Sequence, residues 1–270
     1  MKCIQTPKNI KVLVRDNDFL SNLYAKAYMP LLCRYVGLGD KKYMKKTGLR
    51  YLPPSPLRYR VHGRPEIDSF LDIGSRNASD IERALNSVGA HLTRSLNVLD
   101  FGCGCGRTLI WFSEKDSNFH GTDIDYEAVS WCERNLKFAK FRVNDPLPPI
   151  KYEDNYFDVI YCVSVFTHLD LNRREVWLKE LERILTCKGI LIVSVHGREA
   201  WKDLPVDDIA DLRKKGFIFR KREKGPFPEW YQTSYETDEF ARGSFGKFLK
   251  VLKYTEKGLN DYQDLIILQK

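Results

Sequence analysis

Apolar and polar positions along the chain follow two alternating periods. Short β-type runs, from LNVLDF at 96–101 to ILIVSVHG at 190–197, are separated by segments with helical spacing such as EAVSWCERNLKF and LNRREVWLKELERILT. Strand–helix alternation of this kind predicts βαβ units, in which a parallel sheet carries helices on both faces. We therefore expect an α/β fold over the middle of the chain.

The pattern changes in the last quarter of the sequence. After the helical segment VDDIADLRKKG, the β-type runs FIFRKR, FLKVLKY and DLIILQK follow without helices between them. Consecutive strands with short connections favour antiparallel pairing. These runs are expected to form an antiparallel edge on the parallel sheet.

The first part of the chain is patterned more loosely. A single amphipathic helix is predicted from Asp18 to Tyr35, followed by a lysine-rich piece and a proline-punctuated loop. A second helix is predicted over 77–89, because Ser79 and Glu82 form a capping box and a glycine ends the pattern. We divide the chain into an N-terminal helical arm or lid, 1–75, and a main domain, 76–270.

Charge and cysteine content limit the class of protein. The net charge of +8 is uneven, with +11 over 1–65, −8 over 66–211 and +6 over 212–258. Basic flanks around an acidic body are expected either to steer an anionic partner or simply to be solvated. Seven cysteines without a CxxC pair, and no apolar run of signal-peptide or membrane-span length, predict a soluble protein of the cytoplasm.

The stretch NVLDFGCGCGRTL at 97–109 carries the strongest chemical signal. Its glycines, Gly102, Gly104 and Gly106, follow a buried-type strand and precede a predicted helix. Such a turn lets a nucleotide-like ligand approach bare backbone at the carboxyl end of a strand. The alternative is a metal or redox site on Cys103 and Cys105, which would require two further ligands that the nearby sequence does not offer.

Two further positions extend the nucleotide interpretation. Asp123 ends the next predicted strand, 21 positions after Gly102, where a carboxylate can accept both hydroxyls of a ribose. Asn144 and Asp145 end the third strand, where side chains can recognise an adenine amino group. The spacing G-x-G-x-G differs from the G-x-G-x-x-G of dinucleotide binders.

With these motifs the chain resembles the class I S-adenosylmethionine-dependent methyltransferases, strongly over about 96–197 and more loosely beyond. The resemblance implies a Rossmann-like, doubly wound, mostly parallel seven-stranded sheet and S-adenosylmethionine as cofactor. It also implies a set of cofactor-binding residues: Asp100, Gly102, Cys103, Gly104 and Gly106 around the methionine moiety, Asp123 at the ribose, Ile124, Asn144 and Asp145 at the adenine, and Cys162 and Val163 at the methionine end.

His168 and His196 are the candidate catalytic residues. They follow the fourth and fifth predicted strands, and the unperturbed pKa of histidine suits a general base at neutral pH. Each histidine has the alternative role of tying down a loop. In plant-type small-molecule O-methyltransferases the base aligns one place earlier, on Thr167, so its role does not transfer directly to His168.

The acceptor is expected to be a hydroxyl of a small molecule or glycan. The alternatives are an RNA methyltransferase that uses the basic flanks, including 213–224, and a cofactor-binding protein without turnover. The arm residues Arg58, Tyr59, Arg60 and His62 are candidates for closing over the site, and Trp230, Tyr231 and Gln232 are candidates for lining an acceptor pocket. No metal is predicted.

Overall fold

The computed structural model describes residues 24–93, 95–202, 204–220 and 232–270. A short π-helix, Tyr24–Tyr28, leads into the first of eight α-helices of these residues. The helices are α1 Met29–Gly37, α2 Asp40–Thr47, α3 Ser55–His62, α4 Ile67–Asn86, α5 Tyr126–Asn135, α6 Leu171–Ile184, α7 Val206–Lys215 and α8 Asp238–Phe245. No helix in the described ranges is long and apolar enough to cross a lipid bilayer.

Seven strands form one sheet with the order β3-β2-β1-β4-β5-β9-β8. The strands of the described residues are β1 Asn97–Phe101, β2 Asn118–Asp123, β3 Ala139–Val143, β4 Phe157–Cys162, β5 Leu185–Val195, β6 Phe217–Arg220, β7 Thr233–Glu236, β8 Lys250–Leu259 and β9 Gln263–Gln269. Strands β1 to β5 pair in parallel, and β9 runs antiparallel to both β5 and β8. The predicted doubly wound sheet with an antiparallel C-terminal edge is confirmed.

The core lies on both faces of this sheet because the central strands are buried on both sides. On one face the apolar side chains of α4 and α5 pack against β1 and β2, with Leu85 and Val129 completely buried. On the other face α6 and α8 pack against β4 and β5, with Leu181 and Phe245 completely buried. The two layers hold the carboxyl ends of the parallel strands at one edge.

The N-terminal segment is more regular than its sequence indicates. The helix predicted from residue 18 continues to Gly37, and its residues 18–23 lie outside the described part. The lysine-rich piece forms α2 and part of the proline-rich segment forms α3. These helices are held together by Arg58, which is fully buried and donates to both carboxylate oxygens of Asp40 at 2.9 Å.

The helix predicted over 77–89 is present, but its predicted start is wrong, because α4 begins ten residues earlier at Ile67. The apolar face continues upstream through Phe70, which is completely buried. Gly74 lies so close to the Arg107 carbonyl that a side chain would collide with it. Burial against the main domain extends the helix, and α4 runs through the boundary predicted at 75/76.

Three other predictions differ from the observed structure. The last β-type runs were expected without helices between them, but α8 lies between β7 and β8. The helix expected directly after the glycine loop is only a 3₁₀ turn, Leu109–Phe112, since β-branched and aromatic residues favour helix weakly and polar turn residues follow. The run FIFRKR does not join the main sheet. Its first part forms β6, which pairs with β7 in a separate two-stranded sheet.

This small sheet lies over the carboxyl ends of β4 and β5. Arg174 of α6 and Glu236 of β7 are both buried and form two parallel hydrogen bonds of 2.7 Å. Glu236 also donates its backbone N–H to the carbonyl oxygen of His196. A buried bidentate pair of this type fixes β7 against the main domain.

Candidate functional site

The glycine loop adopts a conformation that side chains would disrupt. Gly102, Gly104 and Gly106 all have positive φ angles, of 81°, 51° and 76°. A Cβ on Gly104 would lie 2.6 Å from Cγ2 of Val61 on α3. The loop therefore requires glycine both for its backbone angles and because α3 packs directly on it.

Two carboxylates flank this loop. One oxygen of Asp123 accepts the Gly104 N–H at 2.7 Å and the other accepts the Asp125 N–H at 2.9 Å. Burial raises the pKa of Asp123, and burial raises the pKa of Asp100 to about 8. Neither carboxyl group forms an ion pair within the described residues, so a cationic ligand beside them would favour their ionised forms.

The thiols of the loop are packing groups. Cys105 is completely buried, and Cys103 directs its thiol at the Gly104 carbonyl oxygen, 3.6 Å away. Burial raises the pKa of the Cys105 thiol, which keeps it protonated and unreactive. No group of three or more potential metal-ligating side chains occurs among the residues the structure describes.

Residues that end β2 and β3 supply an apolar surface and a polar one. Ile124 is exposed next to Asp123, and a cavity of about 330 Å³ at the end of β3 is lined in part by Asn144 and Asp145. The Asn144 amide donates to the Asp145 carbonyl oxygen at 2.8 Å, and its own Oδ1 is buried without a hydrogen-bond partner. An orphaned acceptor of this kind is suited to an amino group of a ligand.

The end of β4 closes the opposite side of the loop. Cys162 is buried, Val163 is half-buried, and the side chain of Val165 occupies the space that a Cβ on Gly102 would need. This part of the site is apolar at residues 162 and 163. The fold thus brings the sequence-predicted residues of β1, β2, β3 and β4 to one edge of the sheet.

His168 and His196 lie side by side above the ends of β4 and β5, with ring centroids 6.5 Å apart. The Nδ1 of His168 lies 2.7 Å from the Gln232 carbonyl oxygen, and the Nδ1 of His196 lies 3.1 Å from the Ser234 carbonyl oxygen. Since a carbonyl only accepts, each Nδ1 carries the proton and each Nε2 is the basic nitrogen of the neutral ring.

The arm contributes α3 to the same edge. Arg60 forms ion pairs with Asp125 at 2.9 Å and Glu127 at 2.6 Å, and Arg107 lies 3.3 Å from Nδ1 of His62. Burial lowers the pKa of His62 to about 4. Of the arm residues singled out by sequence, Arg58 is fully buried and braces the arm, whereas Arg60 reaches the main domain.

The sequence did not single out Ser164 or Gln263, which lie beside the two histidines. They are 99 positions apart and carry no motif, so only the pairing of β5 with β9 brings them together. In the structure Ser164 has a positive φ of 59°. No pattern in the sequence indicates this conformation. Trp230 and Tyr231, and residues 221–224 of the basic run, lie outside the described residues.

Comparison with known proteins gives one family match and several relatives. Residues 99–193 match the family model described as a methyltransferase domain. The malonyl-[acyl-carrier protein] O-methyltransferase of Bacillus cereus is 30% identical over 116 residues, 42% of each chain. The O-antigen chain terminator bifunctional methyltransferase/kinase WbdD of Escherichia coli is 27% identical over 171 residues, 59% of this chain and 24% of the relative.

The match covers less than half of the length of either curated relative. Among solved structures, a S-adenosylmethionine-dependent methyltransferase from Methanosarcina mazei superposes with a TM-score of 0.51 at 20% identity. That superposition covers 66% of this chain and 94% of the other. It shows that the two chains share a fold.

Proposed function

The chain belongs to the class I S-adenosylmethionine-dependent methyltransferase family, and we propose that it transfers a methyl group to a hydroxyl of a small molecule or glycan. The observation that carries the proposal is the pair of histidines after β4 and β5, at the same edge of the sheet as the glycine loop. Both rings are fixed through Nδ1 to backbone carbonyls, at His168 and His196. This arrangement presents basic nitrogens at the edge where the family holds its cofactor.

The residues at the loop fit S-adenosylmethionine, the cofactor of this family. Asp123 has carboxylate oxygens for the ribose hydroxyls, and the orphaned Oδ1 of Asn144 is an acceptor for the adenine amino group. Asp100 and Asp123 have no ion-pair partner among the described residues, and a ligand that carries positive charge would stabilise their ionised forms. When bound, S-adenosylmethionine supplies a methyl carbon on a cationic sulfur, which keeps the electron pair of the broken bond.

The protein's own part is to hold the acceptor and to take its proton. A neutral histidine that donates from Nδ1 to a carbonyl has its Nε2 lone pair in a fixed direction, as general-base catalysis requires. His168 and His196 both meet this condition. Holding the reacting oxygen in line is worth up to about 7–11 kcal/mol of the barrier, so positioning is a large part of the expected rate enhancement.

An oxygen acceptor and a glycan substrate each agree with the name of one matching relative. One is an O-methyltransferase that acts on malonyl-acyl-carrier protein, and the other terminates an O-antigen chain. Part of the basic run is engaged within the protein, since Arg220 pairs with Asp208 and Asp211. Six cysteines of the described part are free thiols, which suits a cytoplasmic location.

Calorimetry with S-adenosylhomocysteine, the demethylated product, tests the cofactor site. We expect binding to the wild type and a loss of at least about tenfold in affinity for Asp123→Ala. Asp72→Ala is the matched control, because Asp72 is exposed on α4 away from the loop. If the wild type fails to bind at near-millimolar ligand, or Asp123→Ala binds equally well, the cofactor proposal is wrong.

Incubation with labelled S-adenosylmethionine and a panel of hydroxyl and amine acceptors then tests the reaction. Label in hydroxyl acceptors is the expected result. Tight cofactor binding without transfer to any acceptor would instead favour a non-catalytic protein. Transfer to RNA, together with RNA affinity that falls with salt, would replace the hydroxyl proposal by the nucleic-acid alternative.

A further inference from the structure

A cluster of polar side chains lies where β4 and β5 end and β9 begins. Ser164 follows β4, His196 follows β5, and Gln263 opens β9. The pairing of Val195 with Asp264 places Gln263 directly opposite His196. The three side chains are half-buried, so they are enclosed but reachable by a ligand.

Ser164 is held in a conformation that serine rarely adopts. Its φ is 59°, and its N–H donates to Oγ of Ser194 at 2.7 Å. A non-glycine residue in this region is strained and persists where the surroundings fix it. Here the strain turns the Ser164 hydroxyl toward Gln263.

The amide of Gln263 joins the serine to the histidine. Its Nε2 lies 2.9 Å from Oγ of Ser164 and 3.4 Å from Nε2 of His196, and its Oε1 lies 3.2 Å from the same Oγ. One amide nitrogen therefore stands within reach of both groups. Ser164 Oγ and His196 Nε2 both lie within 3.4 Å of this nitrogen, so a ligand that carries two neighbouring hydroxyls can contact both groups.

Two tyrosine rings flank the cluster. Tyr235 stacks on His196 at 5.3 Å between centroids, and Tyr262 lies at 6.0 Å, 47% exposed. Aromatic faces beside a few convergent hydrogen-bonding groups give a site that takes a ligand with an apolar face and a polar edge. A pyranose ring has both.

We propose that Ser164 and Gln263 form the acceptor-binding dyad of this enzyme, and that the acceptor carries two neighbouring hydroxyls, as in a glycosyl ring. This inference rests on the proposed function, because it assigns the acceptor end of the same site. One hydroxyl bonds to the dyad, and the adjacent one lies at Nε2 of His196. The proton of this second hydroxyl passes to Nε2 of His196, while the hydroxyl oxygen bonds to the methyl carbon and the carbon–sulfur bond breaks.

The dyad would select between acceptors as well as position them. A site that hydrogen-bonds a hydroxyl rejects analogues lacking that group strongly, because its own polar groups are then left unpaired. An acceptor with a single hydroxyl would satisfy either the dyad or His196, and not both. Simple alcohols are therefore expected to be poor ligands.

Ligand-observed NMR on the protein loaded with S-adenosylhomocysteine tests the proposal with defined probes: methyl mannoside, methyl glucoside, methyl galactoside and, as the single-hydroxyl probe, cyclohexanol. We expect at least one glycoside to bind and cyclohexanol not to bind. Ser164→Gly removes the hydroxyl while tolerating the positive φ, and Gln263→Leu removes the amide. Each change is expected to weaken glycoside binding at least about tenfold.

Gln269→Leu is the matched control, since Gln269 lies at the opposite end of β9. It is expected to leave glycoside binding unchanged, and all three variants are expected to keep wild-type affinity for S-adenosylhomocysteine. In turnover assays with a bound glycoside, the dyad variants should raise the KM for the acceptor and leave the KM for the cofactor unchanged.

The proposal is overturned if no glycoside binds the loaded wild type, or if glycoside binding survives both dyad substitutions. Equal loss in Gln269→Leu would show a general effect on β9 and would also overturn it. Failure of the proposed function is recognised separately, because the wild type would then not bind S-adenosylhomocysteine at all.

Discussion

Asp100 gives the sharpest test of the electrostatics of the site. It ends a central strand beneath the glycine loop, is only 2% exposed, and forms no ion pair among the described residues. Burial raises its pKa to about 8, and the charge of Asp123 adds to the shift. We predict that Asp100→Asn stabilises the cofactor-free protein, and more so as the pH rises.

The magnitude follows from the difference between the folded and unfolded pKa values. An unfolded aspartate has lost its proton well below pH 6, whereas folded Asp100 keeps its proton until about pH 8. Between these values the folded state binds more protons, so the free energy of unfolding of the wild type falls as pH rises. In this range the free energy of unfolding of the wild type falls by about 1.4 kcal/mol per pH unit. Between about pH 6 and about pH 8 it therefore falls by about 3 kcal/mol.

Urea unfolding of wild type and Asp100→Asn at about pH 6 and about pH 9 measures this difference. The stability advantage of the variant should grow by about 3 kcal/mol over that range and stay constant above it. Asp72→Asn, an exposed change on α4, should show little pH-dependent difference. An advantage for Asp100→Asn that is the same at both pH values would refute the reasoning.

Two further predictions concern the glycine loop and the buried Arg174–Glu236 ion pair. Gly104→Val should abolish binding of S-adenosylhomocysteine in calorimetry, because Gly104 has a φ of 51° and a Cβ there would lie 2.6 Å from the Val61 side chain. Cys103→Ser should keep most of the affinity. The reverse pattern would assign the function to the thiols. Glu236→Ala should lower the free energy of unfolding by about 3–5 kcal/mol in a urea titration, because it leaves the Arg174 charge buried and unpaired. A loss below about 1 kcal/mol would contradict a stabilising role for this ion pair.

Much of the arrangement of the proposed cofactor site was predictable because its residues lie near the ends of successive strands. Asp100, Gly104 and Asp123 are tied to strands that apolar runs predict, and parallel strands bring their carboxyl ends to one edge. Local pattern was less reliable where burial acts across the chain. The capping box at Ser79 is a valid local signal, yet α4 starts at Ile67 because its upstream face packs on the main domain.

The sequence by itself determined the alternation of strands and helices, the glycine loop and the carboxylates around it, since each depends on residues near one another in the chain. Only the tertiary structure decided that α3 covers Gly104, that β6 and β7 form a separate sheet, and that Ser164 meets Gln263. These contacts join residues far apart in sequence. Their energies come from burial and hydrogen bonding in the assembled fold, which no local periodicity records.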